Sequence, residues 1–252
     1  ALKYYRRVAD TFALDIRFDE PVTMFARQAN GTFAVASQPR HGAAVTRVAK
    51  AVVVASGAYD IPNRLGVPGE DLPHVSHFYK QPHAHYRQRV VIVGGKNSAA
   101  ESALDLYRNG AAAVTLVHRH AELGDSIKYW VKPDIENRIK EGSVLAHFST
   151  RVVEITPTDV IVEGPAGRSS IPADFVYLLT GYRSDTSLLR SVGAVVDDAT
   201  GAPALDEATF ESSVRGLFVI GAAVAGKQSG KIFIENGRFH GEVAIAAIHA
   251  RG

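Results

Sequence analysis

The sequence predicts an α/β fold built around a parallel sheet, and three observations carry that expectation. Residues 89–117 run strand, glycine turn, helix, strand, the order in which a crossover helix joins two parallel strands. Two further runs, Phe175-Val176-Tyr177-Leu178-Leu179 and Leu217-Phe218-Val219-Ile220, have the continuous apolar character of strands buried on both faces. Composition is globular: 252 residues, 46% hydrophobic and 21% charged, enough for one large core or two moderate ones.

Taken in order, Tyr4, Tyr5, Val8, Ala9 and Phe12 recur at helical spacing, and 15–18 reads as a short strand. Alternating apolar residues at Val22, Met24 and Ala26 and at Phe33 and Val35 flank Asn30-Gly31, a dipeptide whose tolerance of positive φ favours a tight hairpin. The compact run 49–55 reads as one buried strand ending in Ser56-Gly57, and Pro62, Pro68 and Gly69 then break regular structure. Strands are expected at 90–93 and 114–117 with a helix at 98–107 between them. A helix at 133–140, strands at 144–148 and 152–155, a hairpin through 160–162 and the strand at 175–179 complete that half. A buried strand at 216–221 and a helix at 242–249 close the chain.

A net charge of +2 gives no case for nucleic acid or an anionic membrane as partner. No apolar run approaches the roughly 18 residues that span a bilayer, and the first residues lack the apolar core of a signal peptide, so a cytoplasmic location and a small-molecule partner are expected. There is no cysteine, which excludes a thiolate metal site or a thiol relay within these residues. His74, His77, His83 and His85 crowd one loop, but without H-E-x-x-H spacing or a nearby thiolate no metal is expected there.

The sharpest chemical signal is Val90-Val91-Ile92-Val93-Gly94-Gly95-Lys96-Asn97-Ser98-Ala99-Ala100-Glu101. A strand that turns tightly into a helix aims unpaired N–H groups and the positive helix end at one point, where a pyrophosphate sits. Gly94 permits the turn and small Ala99 a close helix–strand approach; Lys96 stands where the G-x-G-x-x-G/A fingerprint has glycine. Gly94, Gly95, Lys96, Asn97 and Ser98 are therefore the candidate dinucleotide ligands. Lys96 is either a phosphate contact or a structural residue. NAD-binding folds place a carboxylate about 20 residues past the turn, on the ribose 2′-OH; here Val117 is followed by His118-Arg119-His120, so the nucleotide is read as NADPH. The competing reading of Arg119 is a solvated charge at a strand end.

The segment 94–101, together with Leu123-Gly124-Asp125-Ser126-Ile127-Lys128-Tyr129-Trp130-Val131-Lys132-Pro133-Asp134-Ile135-Glu136-Asn137-Arg138 and Gly226-Lys227-Gln228-Ser229-Gly230-Lys231-Ile232-Phe233-Ile234-Glu235-Asn236-Gly237-Arg238-Phe239-His240-Gly241, resembles the YpdA family. These are thioredoxin-reductase-like flavoproteins proposed as NADPH-dependent bacillithiol-disulfide reductases, and the resemblance runs over nearly the whole chain. It implies an α/β, two-dinucleotide-binding-domain flavoprotein fold with three-layer ββα and βαβ domains. Residues 1–86 and 184–252 would be a partial FAD-binding domain and 87–183 the NAD(P)H-binding Rossmann domain.

By the same resemblance Gly181 and Tyr182 form the exit from the nicotinamide domain. Gly57, Gly221, Ala222, Gly237 and Arg238 would lie against FAD, although the wider superfamily commonly has Asp where this chain has Ala222. Trp130 is equally compatible with a core position and with a cover over the nicotinamide. Such flavoproteins begin with a first βαβ unit whose G-x-G-x-x-G turn cradles the FAD pyrophosphate, and nothing before Gly94 has that pattern. The chain is therefore expected to be a fragment lacking that unit and the family cysteine within it, inactive on its own. The implied activity is hydride transfer from NADPH to FAD and on to a low-molecular-weight disulfide, in a homo-oligomer. The alternative is a flavin-free NADP(H)-binding module without turnover.

Overall fold

The computed structural model describes residues 2–251, and the side chains of all of these except 228–231. The chain divides into two compact units, residues 62–181 and residues 1–61 with 182–252. The boundary expected at 86/87 thus falls inside the first of these units. The reason is the short strand Val75–Ser76, which pairs in parallel with Phe175–Leu178 and so commits the preceding loop to the same sheet.

In the unit 62–181, five parallel strands stand in the order Val75–Ser76, Phe175–Leu178, Arg89–Val93, Ala113–Val117, Leu145–His147. Sequence neighbours are separated by crossovers, and Arg89–Val93 lies at the centre with both faces covered. On one face the helices Asn97–Arg108 and Lys132–Lys140 bury Val90, Ile92, Leu104, Leu106, Leu116 and Ile135. On the other, the antiparallel sheet Arg151–Ile155, Asp159–Gly164, Gly167–Pro172 packs Val152, Val160 and Val162 against Val91, Val93, Val117 and Val176. Alternate residues of one strand therefore feed two different cores, as the pleat requires. This is the expected three-layer ββα arrangement.

At the amino end of the sheet Asp174 ties the two central strands. Its carboxylate accepts from the Arg89 N–H at 2.8 Å and from the Arg89 guanidinium at 2.5 Å. Those bonds hold its pKa down at about 2.

The unit 1–61 with 182–252 opens with the helix Leu2–Thr11, none of whose residues is buried. The hairpin Val22–Arg27, Phe33–Ser37 forms as expected around Gly31, which takes φ +86. Two expectations fail here. Residues 15–18 are irregular and take no part in any sheet; Ile16 and Phe18 are exposed, and a strand without a ladder partner gains nothing from extension. The run 49–55 is not one strand. Its start belongs to Val45–Ala49, antiparallel to Phe33–Ser37, while Val52–Val54 pairs in parallel with Leu217–Val219. A break at Lys50-Ala51 lets the chain change sheets, and Val52–Val54 is only partly covered. Phe25, Phe33, Leu189, Leu217 and Val219 make this unit's core.

Candidate functional site

The glycine turn is built by space as well as by dihedral freedom. A Cβ on Gly94, which has φ +156, would lie 2.7 Å from the Leu179 carbonyl oxygen and 3.0 Å from the Ala99 Cβ. Only glycine fits between the neighbouring strand and the helix, with Ala99 the small residue that lets the helix come close. The Gly94 N–H bonds the Val117 carbonyl at 3.0 Å, which holds the turn at the carboxyl end of the adjacent strand. No side chain caps the helix Asn97–Arg108 at Lys96. Its first N–H groups and positive dipole end are thereby left for an anion.

The substitution in the fingerprint has a local explanation. Lys96 takes φ −118, ψ −168, extended backbone open to any residue, so the position does not need the glycine that the usual motif places there. At Gly95 a Cβ would meet the His118 ring at 2.3–2.4 Å, so a side chain there would push that ring aside. His118 therefore lies across the turn, half-buried. Burial first, then His120, Arg119 and Lys96, hold its pKa below the ordinary histidine value. The His118 and His120 rings meet edge to face at 5.1 Å, and Arg119 Nε donates to His120 Nε2 at 3.2 Å. Three basic or titratable side chains thus stand just past the strand Ala113–Val117. The residues fit an anionic dinucleotide: a turn in which a Cβ has no room, an uncapped helix, and cationic chemistry next to both.

Gly181, at φ +92, closes the same unit. Asn63 bonds its carbonyl at 2.9 Å and stands 3.3 Å from where a Cβ would be. Tyr182 belongs to the other unit, where its ring stacks on Tyr59 at 4.6 Å and burial raises its pKa.

Also in that unit, Gly57 and Gly221 follow the carboxyl ends of the paired strands Val52–Val54 and Leu217–Val219. Both have positive φ, and a Cβ on either would meet open space. Gly221 N–H donates to His240 Nδ1 at 3.2 Å, and Gly237 stands close by, 3.6 Å from the Gly221 Cα for an added Cβ. Ala222 offers no side-chain oxygen, and the Arg238 guanidinium lies over the Phe239 ring at 4.6 Å. The open space at Gly57 and Gly221 leaves room for a flavin's ribityl side. The Gln228, Ser229 and Lys231 side chains of the long family segment lie outside the described residues.

Sequence reasoning missed two features. Glu70, buried, accepts from the Leu65 and Gly66 N–H groups at 2.9 and 2.7 Å, folding the Pro68-Gly69 loop. Residues 123–131 run back against the glycine turn: Gly124 N–H donates to the Gly95 carbonyl at 2.8 Å, and Asn97 bonds Ser126 and Lys128. The family segment 123–138 marked the stretch, but no spacing rule connects it to residue 97. The loop histidines are engaged separately. His74 bonds the Thr156 carbonyl, His85 lies between Gln88 and Tyr177, and His77 faces Glu70.

Two α/β units, one with a glycine turn at a helix start and the other with parallel strands ending in glycines, make the architecture of an oxidoreductase that holds two dinucleotides. The chain belongs to the pyridine nucleotide-disulphide oxidoreductase family, whose pattern matches residues 1–221, and membership implies flavin and nicotinamide cofactors. It is 38% identical to the bacilliredoxin reductase Bdr of Bacillus subtilis over 252 residues, covering all of this chain and 76% of that protein. Its structure matches the bacillithiol disulfide reductase Bdr (YpdA) from Bacillus cereus with a TM-score of 0.95 and 37% identity, over all of this chain and 77% of the other. The thioredoxin reductase of T. acidophilum matches with a TM-score of 0.75 at 20% identity, over 97% of this chain and 80% of the other, a likeness of fold. The resemblance to the YpdA family and the thioredoxin-reductase-like fold are thereby established, as is a disulfide-reductase class of enzyme.

Proposed function

We propose that this chain carries the NADPH site, and part of the FAD site, of a flavoprotein that reduces a low-molecular-weight disulfide, bacillithiol disulfide by similarity to the Bdr proteins. The observation that carries the nucleotide choice is the succession His118-Arg119-His120 at the strand end beside the glycine turn, where an NAD site needs a carboxylate. In this reading Gly94 to Ser98 bind the pyrophosphate, and Arg119 and His118 bind the 2′-phosphate. Gly57, Gly221, Ala222 and Gly237 face the flavin, and Arg238 supports its pyrimidine side. Gly181 and Tyr182 lead the chain out of the nucleotide unit.

A nicotinamide held at Gly94 to Ser98 would supply hydride chemistry, and a flavin held beside Gly57, Gly221 and Gly237 would supply the redox chemistry towards a disulfide. The protein's share is placement and charge. The uncapped helix and Arg119 neutralise phosphate, and the glycines let backbone approach it.

Titration with NADPH and NADH tests the choice. Arg119→Ala is expected to weaken NADPH by about 1–3 kcal/mol, the scale of a charge-assisted hydrogen bond, and to leave NADH within twofold. Equal losses for both nucleotides would overturn the assignment. These 252 residues contain no cysteine and no glycine fingerprint besides that at Gly94. By themselves they are expected to bind NADPH without retaining stoichiometric FAD or turning over a disulfide. The same absence supports the second reading, a flavin-free NADP(H)-binding module, and flavin absorbance of the purified protein decides between them.

A further inference from the structure

Asn97, the first residue of the helix at the glycine turn, does not aim its side chain outward as a ligand would. Its Nδ2 donates to the Ser126 carbonyl at 2.8 Å and its Oδ1 accepts from the Lys128 N–H at 2.8 Å. The amide thus replaces, for a stretch without strand partners, the two bonds that a neighbouring strand would make. The same stretch touches the turn a second time, through the Gly124 N–H on the Gly95 carbonyl at 2.8 Å. A Cβ on Gly124 would stand 3.1 Å from that carbonyl and 3.4 Å from the Lys96 side chain. Below, Leu123, Ile127 and Val131 are buried in the unit's core. Above, Tyr129 and Trp130 are 83% and 61% exposed. Lys128 joins the two levels, its Nζ 2.7 Å from Glu101 on the helix and 5.7 Å from the Trp130 ring centre. Residues 123–131 are therefore a strap with apolar feet, tied to the turn by the Asn97 side chain and by the Gly124–Gly95 backbone bond.

We propose that Asn97 is a positioning residue for nucleotide binding: it latches the strap 124–130 onto the Gly94–Ser98 turn and so fixes the wall of the phosphate cradle before the nucleotide arrives. The proposal rests on the dinucleotide reading given above. An ordered strap spares binding the entropy of ordering it, and the cost of losing the latch falls on affinity rather than on the chemistry.

Trp130 is the chain's one tryptophan and sits at the strap's end, so its emission reports the strap directly. In nucleotide-free Asn97→Ala, Trp130 anisotropy is expected to fall and acrylamide quenching to rise. The NADPH dissociation constant is expected to rise about tenfold, the loss of two well-made hydrogen bonds. In a turnover assay the effect would appear in KM, with kcat held. Gly124→Ala reaches the same contact from the strap side and is expected to shift both readouts in the same direction, which guards against Asn97→Ala failing to fold. Glu101→Gln cuts only an exposed ion pair and is expected to leave affinity within twofold.

A loosened strap with unchanged affinity overturns the proposal. So does weakened affinity with an unchanged Trp130 signal, since Asn97 would then act on the nucleotide itself. Failure of the unaltered protein to bind either nucleotide in the same titration overturns the dinucleotide reading, and the latch with it.

Discussion

His118 shows how a single residue couples the proposed specificity to pH. Its ring lies over Gly95, and burial with the charges of His120, Arg119 and Lys96 depresses its pKa. A 2′-phosphate dianion arriving among these groups reverses the electrostatic part, so the pKa rises on binding and a proton is taken up. Linkage fixes the sign. Between the depressed free value, below 6.5, and the raised bound value, affinity for NADPH increases as pH falls. Above the bound value that gain is lost. NADPH preference over NADH is therefore expected to grow as pH falls through the bound value toward the depressed free one, and His118→Gln is expected to flatten the profile. Calorimetry in two buffers of different ionisation enthalpy reads the proton directly. The same depression acts on the fold as a penalty, absent above the unfolded value of 6.5 and growing as pH falls from there to the depressed folded value.

At the scale of elements, the strand–turn–helix unit shows why one glycine is indispensable and its neighbour's replacement is not. Gly94 is hemmed between the Leu179 carbonyl and Ala99, backbone on one side and helix on the other, neither of which retreats without unpairing Phe175–Leu178 from Arg89–Val93. Lys96 sits in ordinary extended backbone. Gly94→Ala is expected to cost about 2–4 kcal/mol of stability in the unit 62–181, combining overpacking with an unfavourable φ. Lys96→Gly is expected to cost a few tenths by contrast. Denaturant midpoints of the two variants check the difference; parity between them would mean that the sheet and helix yield more easily than the packing indicates.

For the molecule as a whole, the two units are unequal. Residues 62–181 hold two apolar layers around a parallel sheet covered on both faces. The remaining residues hold one smaller cluster and expose Leu2, Tyr4, Tyr5, Phe12 and Phe18. Buried apolar area is the main favourable term in folding, so the units are expected to unfold separately rather than as one two-state body. Limited proteolysis of the chain is expected to cut first before residue 62 and after residue 181, leaving a resistant core. NADPH should protect that core and raise only its transition, by mass action. A single transition that shifts as one with NADPH would contradict this. Among the described residues no helix is long and apolar enough to cross a membrane.

Local pattern determined much of this protein. The glycine turn, the strands and helix around it, the Asn30-Gly31 hairpin and the cationic strand end were legible because each depends on residues within a few positions of one another. Three things were decided only by the tertiary structure. The run 49–55 divides between two sheets because its second half has a partner, Leu217–Val219, more than 150 residues away. The unit boundary moves to residue 62 because Val75–Ser76 finds an edge position in a sheet assembled from distant strands. The Asn97 side chain is tied to Ser126 and Lys128 because carbonyl and amide groups some 30 residues on come within 2.8 Å. Periodicity and propensity encode which face a segment buries, but not which distant segment covers it. That depends on the whole chain satisfying its backbone and its apolar surface at once.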